Sequence, residues 1–319
     1  MADGAGRAVY AALAGNALIA ISKFGAAADT GSSAILSEGV HSLVDCGNEI
    51  LLLYGMRRAR LPPDQRFPFG HGKEIYFWSF VVALLVFALG AGVSFYEGVH
   101  RLRHPGTVRE VHVNYIVIVA AMVFEGGSWW IAFREFRRSK GERGYVEAVQ
   151  RAKDPTTFTV LFEDSAALLG LVVALAGVAL GQATGSSFWD GAASLCIAAI
   201  LAGTAFWLAR ETKSLLIGES ANPEVVAGIR ALLEAQRGVD EVNEILTMHM
   251  GPDVILVNIS VHVAAAAGRG QVHDLFRAID AGIKERFPKV RRVFIESVHH
   301  PAQEDAVPLP PLDGDELHD

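Results

Sequence analysis

Apolar residues run in six long stretches over the first two thirds of the chain. Each is long enough for a helix to cross a hydrocarbon core about 30 Å thick at the rise of an α-helix. They cover approximately residues 8–28, 32–57, 74–98, 112–133, 157–182 and 186–210. Beyond residue 211 the pattern becomes that of a soluble domain. Apolar positions recur at helical spacing over 223–237, and strands are predicted at 241–249 and 254–263 about a Gly251-Pro252-Asp253 turn. An amphipathic helix at 268–287 and a third strand at 290–298 complete the order α-β-β-α-β, which predicts helices on one face of a small sheet. The expected fold is therefore a membrane all-α bundle of six transmembrane helices (1–210) followed by an α+β domain (211–300). The tail 301–319, rich in Pro, Asp and Glu, is read as disordered.

Composition narrows the function classes. Of 319 residues 51% are hydrophobic, more than a soluble chain of this length needs, and the net charge of -7 argues against a nucleic-acid partner. Cys46 and Cys196 both fall in apolar stretches and read as packing residues, not as a disulfide. The first stretch has one Arg before it, Asn16 and Lys23 inside it and no small-residue cleavage pattern, so a first membrane helix is expected in place of a removed signal peptide. Lys and Arg concentrate after the second stretch (Arg57, Arg58, Arg60, Arg66, Lys73) and after the fourth (Arg134, Arg137, Arg138, Lys140, Arg143, Arg151, Lys153). By the positive-inside rule both loops, and with them both termini, face the cytoplasm. No organelle presequence is evident, and a bacterial inner membrane is the expected host.

Ionisable side chains inside a bilayer are costly, so they face a bundle interior, a partner or a water-filled cavity. In span two, SEGVHSLVDCGNEILLL puts His41 and Asp45 four residues apart with Glu38 one turn earlier, all on one helical face. An imidazole and two carboxylates suit Zn²⁺ or a similar divalent ion, which takes nitrogen and oxygen ligands in a tetrahedral shell. The alternative is that His41 and Asp45 bond each other and tie helices together. Span five adds Glu163 and Asp164; neighbours point about 100° apart on a helix, so one of them is expected to face the cavity, and Asp164 is assigned inward. Glu163 is then placed toward the cytoplasmic end of the span. Glu125, Asn16, Asn48 and Asp190 are compatible with bonds between helices.

HSLVD, followed after a basic stretch by RFPFGHGKEIYFW, resembles the cation diffusion facilitator family of divalent-metal transporters, and the resemblance covers nearly the whole chain. It implies a homodimer, joined largely through metallochaperone-like cytoplasmic domains, that exports Zn²⁺ or a related ion (Mn²⁺, Co²⁺, Fe²⁺) in exchange for protons by alternating access. His41 and Asp45 match the family's first HxxxD motif. The second, in span five, is altered: its ligand positions fall on Ala167 and Leu171 if Asp164 precedes the motif, and the His position falls on Val160 if Asp164 ends it. The chain thus resembles a branch with an atypical span-five motif, and Glu38 and Asp164 are expected to complete a displaced metal site.

Asp64 and His71 stand where some relatives place a secondary metal site, with Phe67 at its third position; a tight turn holding His71 is the other reading. His249, His262, His273, His299 and His300 are candidates for metal sensing in the soluble domain, whereas Glu296 and Val298 occupy positions where the family carries ligands. No cofactor is implied. The chain lacks an HExxH, a serine–histidine nucleophile pattern and a P-loop, so neither enzyme chemistry nor direct ATP coupling is expected. A non-transporting metal-binding subunit that pairs with another transporter is the alternative function.

Overall fold

A computed structural model describes residues 2–30, 33–104, 111–141, 144, 147–148, 151–264 and 269–297. Within its helices the side chains of 2–4, 27, 29–30, 33–41, 111–114, 139 and 269 lie outside that description. Val298, His299, His300 and the tail 301–319 fall outside it too. The chain divides into two compact units, one of Met1–Asn222 with Thr247–Leu256 and Lys289–Arg291, the other of Pro223–Leu246, Val257–Pro288 and Arg292–Asp319.

The first unit contains α1 (Ala2–Thr30), α2 (Ser33–Ala59), α3 (Glu74–Leu85), a π-helical segment (Val86–Ala91), α4 (Gly92–Arg103), α5 (Val111–Lys140), α6 (Pro155–Thr184) and α7 (Phe188–Ile217). α3, the π segment and α4 form one continuous span, Glu74–Arg103. Six long helical segments are thus present at the six predicted stretches, most of them longer than the sequence pattern indicates. Among the described residues five are both long and apolar enough to cross a membrane. α2 has the length, but Asp45, Asn48 and Glu49, with Glu38 and His41 before them, dilute its apolar content.

Local chemistry sets several of the ends. α6 starts where Asp154 accepts the Thr156 N–H at 3.0 Å with Pro155 at the first helical position, and stops at Gly185, whose φ of 66° suits a residue without a Cβ. Neighbouring helices approach closely through small residues, as helices in lipid do. A Cβ on Gly177 of α6 would lie 2.6 Å from Ala193 Cβ of α7, and one on Gly98 of α4 would lie 2.9 Å from the Leu195 side chain of α7.

The remaining elements are α8 (Pro223–Glu234), β1 (Val239–Gly251), β2 (Val254–Val263), α9 (Arg269–Arg286) and β3 (Val290–Ser297), with strand order β1-β2-β3. In β2 the alternate residues Ile255, Val257, Ile259 and Val261 are buried, the period of a strand with one covered face. Ile229 and Leu233 of α8 and Ile279 and Ile283 of α9 are buried as well. Gly228 of α8 lets Phe287, just past α9, pack against the helix backbone.

Candidate functional site

Inside the helix bundle lies a cavity of about 170 Å³, lined from α1 by Asn16 and Lys23, from α2 by Ser42, Asp45 and Asn48, from α5 by Glu125, and from α6 by Glu163 and Asp164. With Glu97 of α4, five carboxylates from four helices and one lysine line it. Asp164 is 2% exposed and accepts the Ser128 hydroxyl of α5 at 2.8 Å. Glu163 is buried too, and its Oε1 accepts the Asn48 amide at 2.8 Å. The expectation that only one of this pair faces the cavity is corrected: both line it, because α2 and α5 flank α6 and each supplies a donor to one carboxylate. Lys23 donates to Ser42 Oγ at 2.9 Å.

The sequence reading passed over Glu49. It is 1% exposed, and its Oε1 accepts the Asn16 amide of α1 at 2.8 Å. Its spacing of four residues from Asp45 continues the face begun by His41, and that periodicity was the available signal. Glu49 Oε2, Glu163 Oε2 and Asn48 Oδ1 are buried without a hydrogen-bond partner among the described residues. Buried oxygens of this kind call for a donor or a cation.

Asp45 is half-buried on the cavity wall. His41 and Glu38 belong to the same helix, one and two turns earlier, but their side chains lie outside the described residues. Among the described residues no three His, Cys, Asp or Glu side chains converge in metal-holding geometry. Ala167 and Leu171, the positions where a second motif would place ligands, also line the cavity.

Residues of the loop after α2 close a separate turn. Asp64 Oδ1 accepts the N–H groups of Arg66 and Phe67, both at 2.8 Å, while its Oδ2 lies 3.0 Å from His71 Nε2. The Phe67 N–H and the His71 contact hold the exposed Asp64 carboxyl below its ordinary range. The Phe67 ring leans on the buried His71 imidazole at 4.5 Å between centroids. Asp64 and His71 are thus brought together, with Phe67 as packing. On β1, His249 is buried, and its Nδ1–H donates to the Gly251 carbonyl at 3.2 Å. Burial lowers its pKa from 6.5 to about 4.

The cation efflux transmembrane domain, as a family model, matches residues 9–217, which is most of the helical part. The chain belongs to the cation efflux family. Relatives within and around that family include the proton-coupled zinc antiporter SLC30A9, mitochondrial, of Xenopus laevis, 32% identical over 250 residues that make up 78% of this chain and 45% of the relative. Metal tolerance protein C4 of Arabidopsis thaliana is 30% identical over 77% of this chain and 54% of its own length. The manganese efflux system protein MneP of Bacillus subtilis is 23% identical over 83% of this chain and 86% of its own. This cation efflux chain spans about half the length of the animal and plant relatives. The matched span encloses every residue that lines the cavity.

Proposed function

We propose that this chain exports a divalent transition metal, Zn²⁺ ahead of Mn²⁺, Co²⁺ or Fe²⁺, in exchange for protons by alternating access. The observation that carries this reading is the cavity, which holds Asp45, Glu125, Glu163 and Asp164 inside a bundle of membrane helices. Intramembrane carboxylates at that density mark an ion path. The relatives named for proton-coupled zinc antiport, metal tolerance and manganese efflux support a metal as the cargo.

In this proposal His41, Asp45 and Asp164 hold the ion, with Glu38 and Glu163 beside them. Binding a metal requires a neutral imidazole and ionised carboxylates, so loading displaces protons and protonation releases the ion. Ser128 positions Asp164, and Asn48 positions Glu163, through the bonds described above. Asp64 and His71 would take a second ion only by giving up the bond that closes their turn. The working unit is proposed to be a homodimer joined through its cytoplasmic α+β domain, with both termini in the cytoplasm and a bacterial inner membrane as host.

A second reading, a metal-binding subunit that does not itself transport, is favoured by Ala167 and Leu171 on the cavity wall, where the family's second motif would place ligands. Vesicles containing this chain alone decide between them. Uptake of Zn²⁺ above that of empty vesicles is expected, and uptake equal to empty vesicles, restored by a partner transporter, would favour the subunit.

A further inference from the structure

We propose that His100 and His104 form a second, separate site for a borderline divalent metal such as Zn²⁺ or Cu²⁺, with two imidazoles from the chain and water completing the shell. The two residues are four apart, His100 on α4 and His104 at its C-cap, so both project from one side of the helix. Their rings are stacked, with centroids 4.8 Å apart and planes at 29°. Both residues are exposed, and neither imidazole takes part in a hydrogen bond or ion pair with another described residue. A histidine pair at this spacing on one helix face is the arrangement that brings two nitrogens to one metal ion. Neutral imidazoles select Zn²⁺, Cu²⁺ or Ni²⁺ over Mg²⁺ and Ca²⁺, which prefer oxygen.

Among the described residues the neighbourhood leaves the pair available. Arg101 lies between the two histidines in sequence but is committed elsewhere: it bonds Asp190 at the start of α7 and Glu97 Oε1 at 2.7 Å. Two carboxylates thereby neutralise the Arg101 guanidinium. Tyr96 stacks on His100 at 6.1 Å and 16°, which restrains that ring from the other side. The Arg101–Asp190 bond also places this end of α4 beside the α6–α7 turn. Arg101 and Arg103 mark the water interface there, where a metal can reach the rings.

The pair has a further relation to the cavity. Ser94, Glu97 and Ser194 line one end of it, and Glu97 precedes His100 by three residues on the same helix. The histidines therefore stand one to two turns beyond the last cavity residue of α4, at that end of the helix. Metal binding by this pair does not depend on the transport reading, and the test separates the two.

The full chain, without a polyhistidine tag, carrying Asp45→Ala and Asp164→Ala in detergent is dialysed against Zn²⁺ and its metal content compared with that of the same chain also carrying His100→Phe or His104→Phe. Phenylalanine keeps the ring stack and removes the ligating nitrogen. Each added substitution is expected to remove one equivalent of Zn²⁺, or to weaken that equivalent by at least about tenfold because a two-point attachment becomes one-point. Cu²⁺ bound to the chain with both histidines intact is expected to show two nitrogen couplings by electron paramagnetic resonance, a readout that needs no variant to fold. Equal Zn²⁺ content in all three chains, or a Cu²⁺ spectrum without the two-nitrogen pattern, would overturn the proposal.

Discussion

Asn48 on α2 donates its side-chain N–H to Glu163 on α6 at 2.8 Å, one residue from Asp164 and three residues from Asp45. A single amide thus joins the two helices that carry Asp45 and Asp164, and it does so inside the bundle, where water competes little for the bond.

The first prediction concerns that bond. Asn48→Leu leaves the buried Glu163 oxygen without its donor, which costs about 1–3 kcal/mol. The thermal unfolding midpoint in detergent is expected to fall. Glu163→Gln keeps an acceptor for the Asn48 amide and is expected to shift the midpoint less. Equal midpoints for Asn48→Leu and the parent would show that the bond contributes nothing.

Asp164 can be tested by affinity. Asp164→Asn removes the charge of a proposed ligand and is expected to weaken Zn²⁺ binding in a calorimetric titration. Ser128→Ala removes only its positioning donor and should weaken binding less, by about tenfold. An unaltered isotherm for Asp164→Asn would take α6 out of the site.

Close packing of α6 on α7 gives a third prediction. Gly177→Val pushes side-chain carbon into Ala193 and the Trp189 backbone, where even a Cβ would stand 2.6 Å from Ala193 Cβ. Overpacking of this kind costs about 1–3 kcal/mol. Gly203→Ala, with nothing within 4 Å of the added carbon, is the control and should leave the midpoint near that of the parent.

Some of this was legible in the sequence because bilayer physics writes a strong pattern. Five of the six helical stretches stand out by apolar length, and Asp45 and Asp164 stood out because charge in such stretches needs a reason. The helix partners were harder to see. Asn16 and Glu49 are 33 residues apart, and nothing in either segment says that their helices pair at that level. Treating Glu163 and Asp164 as one inward and one outward residue considered α6 alone, whereas α2 and α5 approach it from different sides. The π segment at Val86–Ala91, which brings Val86 and Gly90 to the cavity, carries no local signal, since its residues suit an α-helix equally well. In the soluble part the alternation of Ile255, Val257, Ile259 and Val261 marked the strand plainly.

The fourth prediction is a pH dependence. His249 titrates near 6.5 when unfolded and near 4 when folded, so below 6.5 the unfolded chain binds the extra proton. The stability that the neutral ring contributes is therefore fully present above 6.5 and is lost as the pH falls toward about 4. Unfolding midpoints measured across that interval are expected to decline more steeply for the parent than for His249→Gln. Parallel curves would assign the decline to other groups.

The central claim is that Asp45, on the wall of the bundle cavity, holds the transported ion and exchanges it for protons. Its most direct test is proton flux driven by a Zn²⁺ gradient in vesicles reconstituted with the chain, measured beside Asp45→Ala at matched protein content. The account predicts robust flux for the parent and flux at the level of empty vesicles for the variant. Equal flux from both would contradict it.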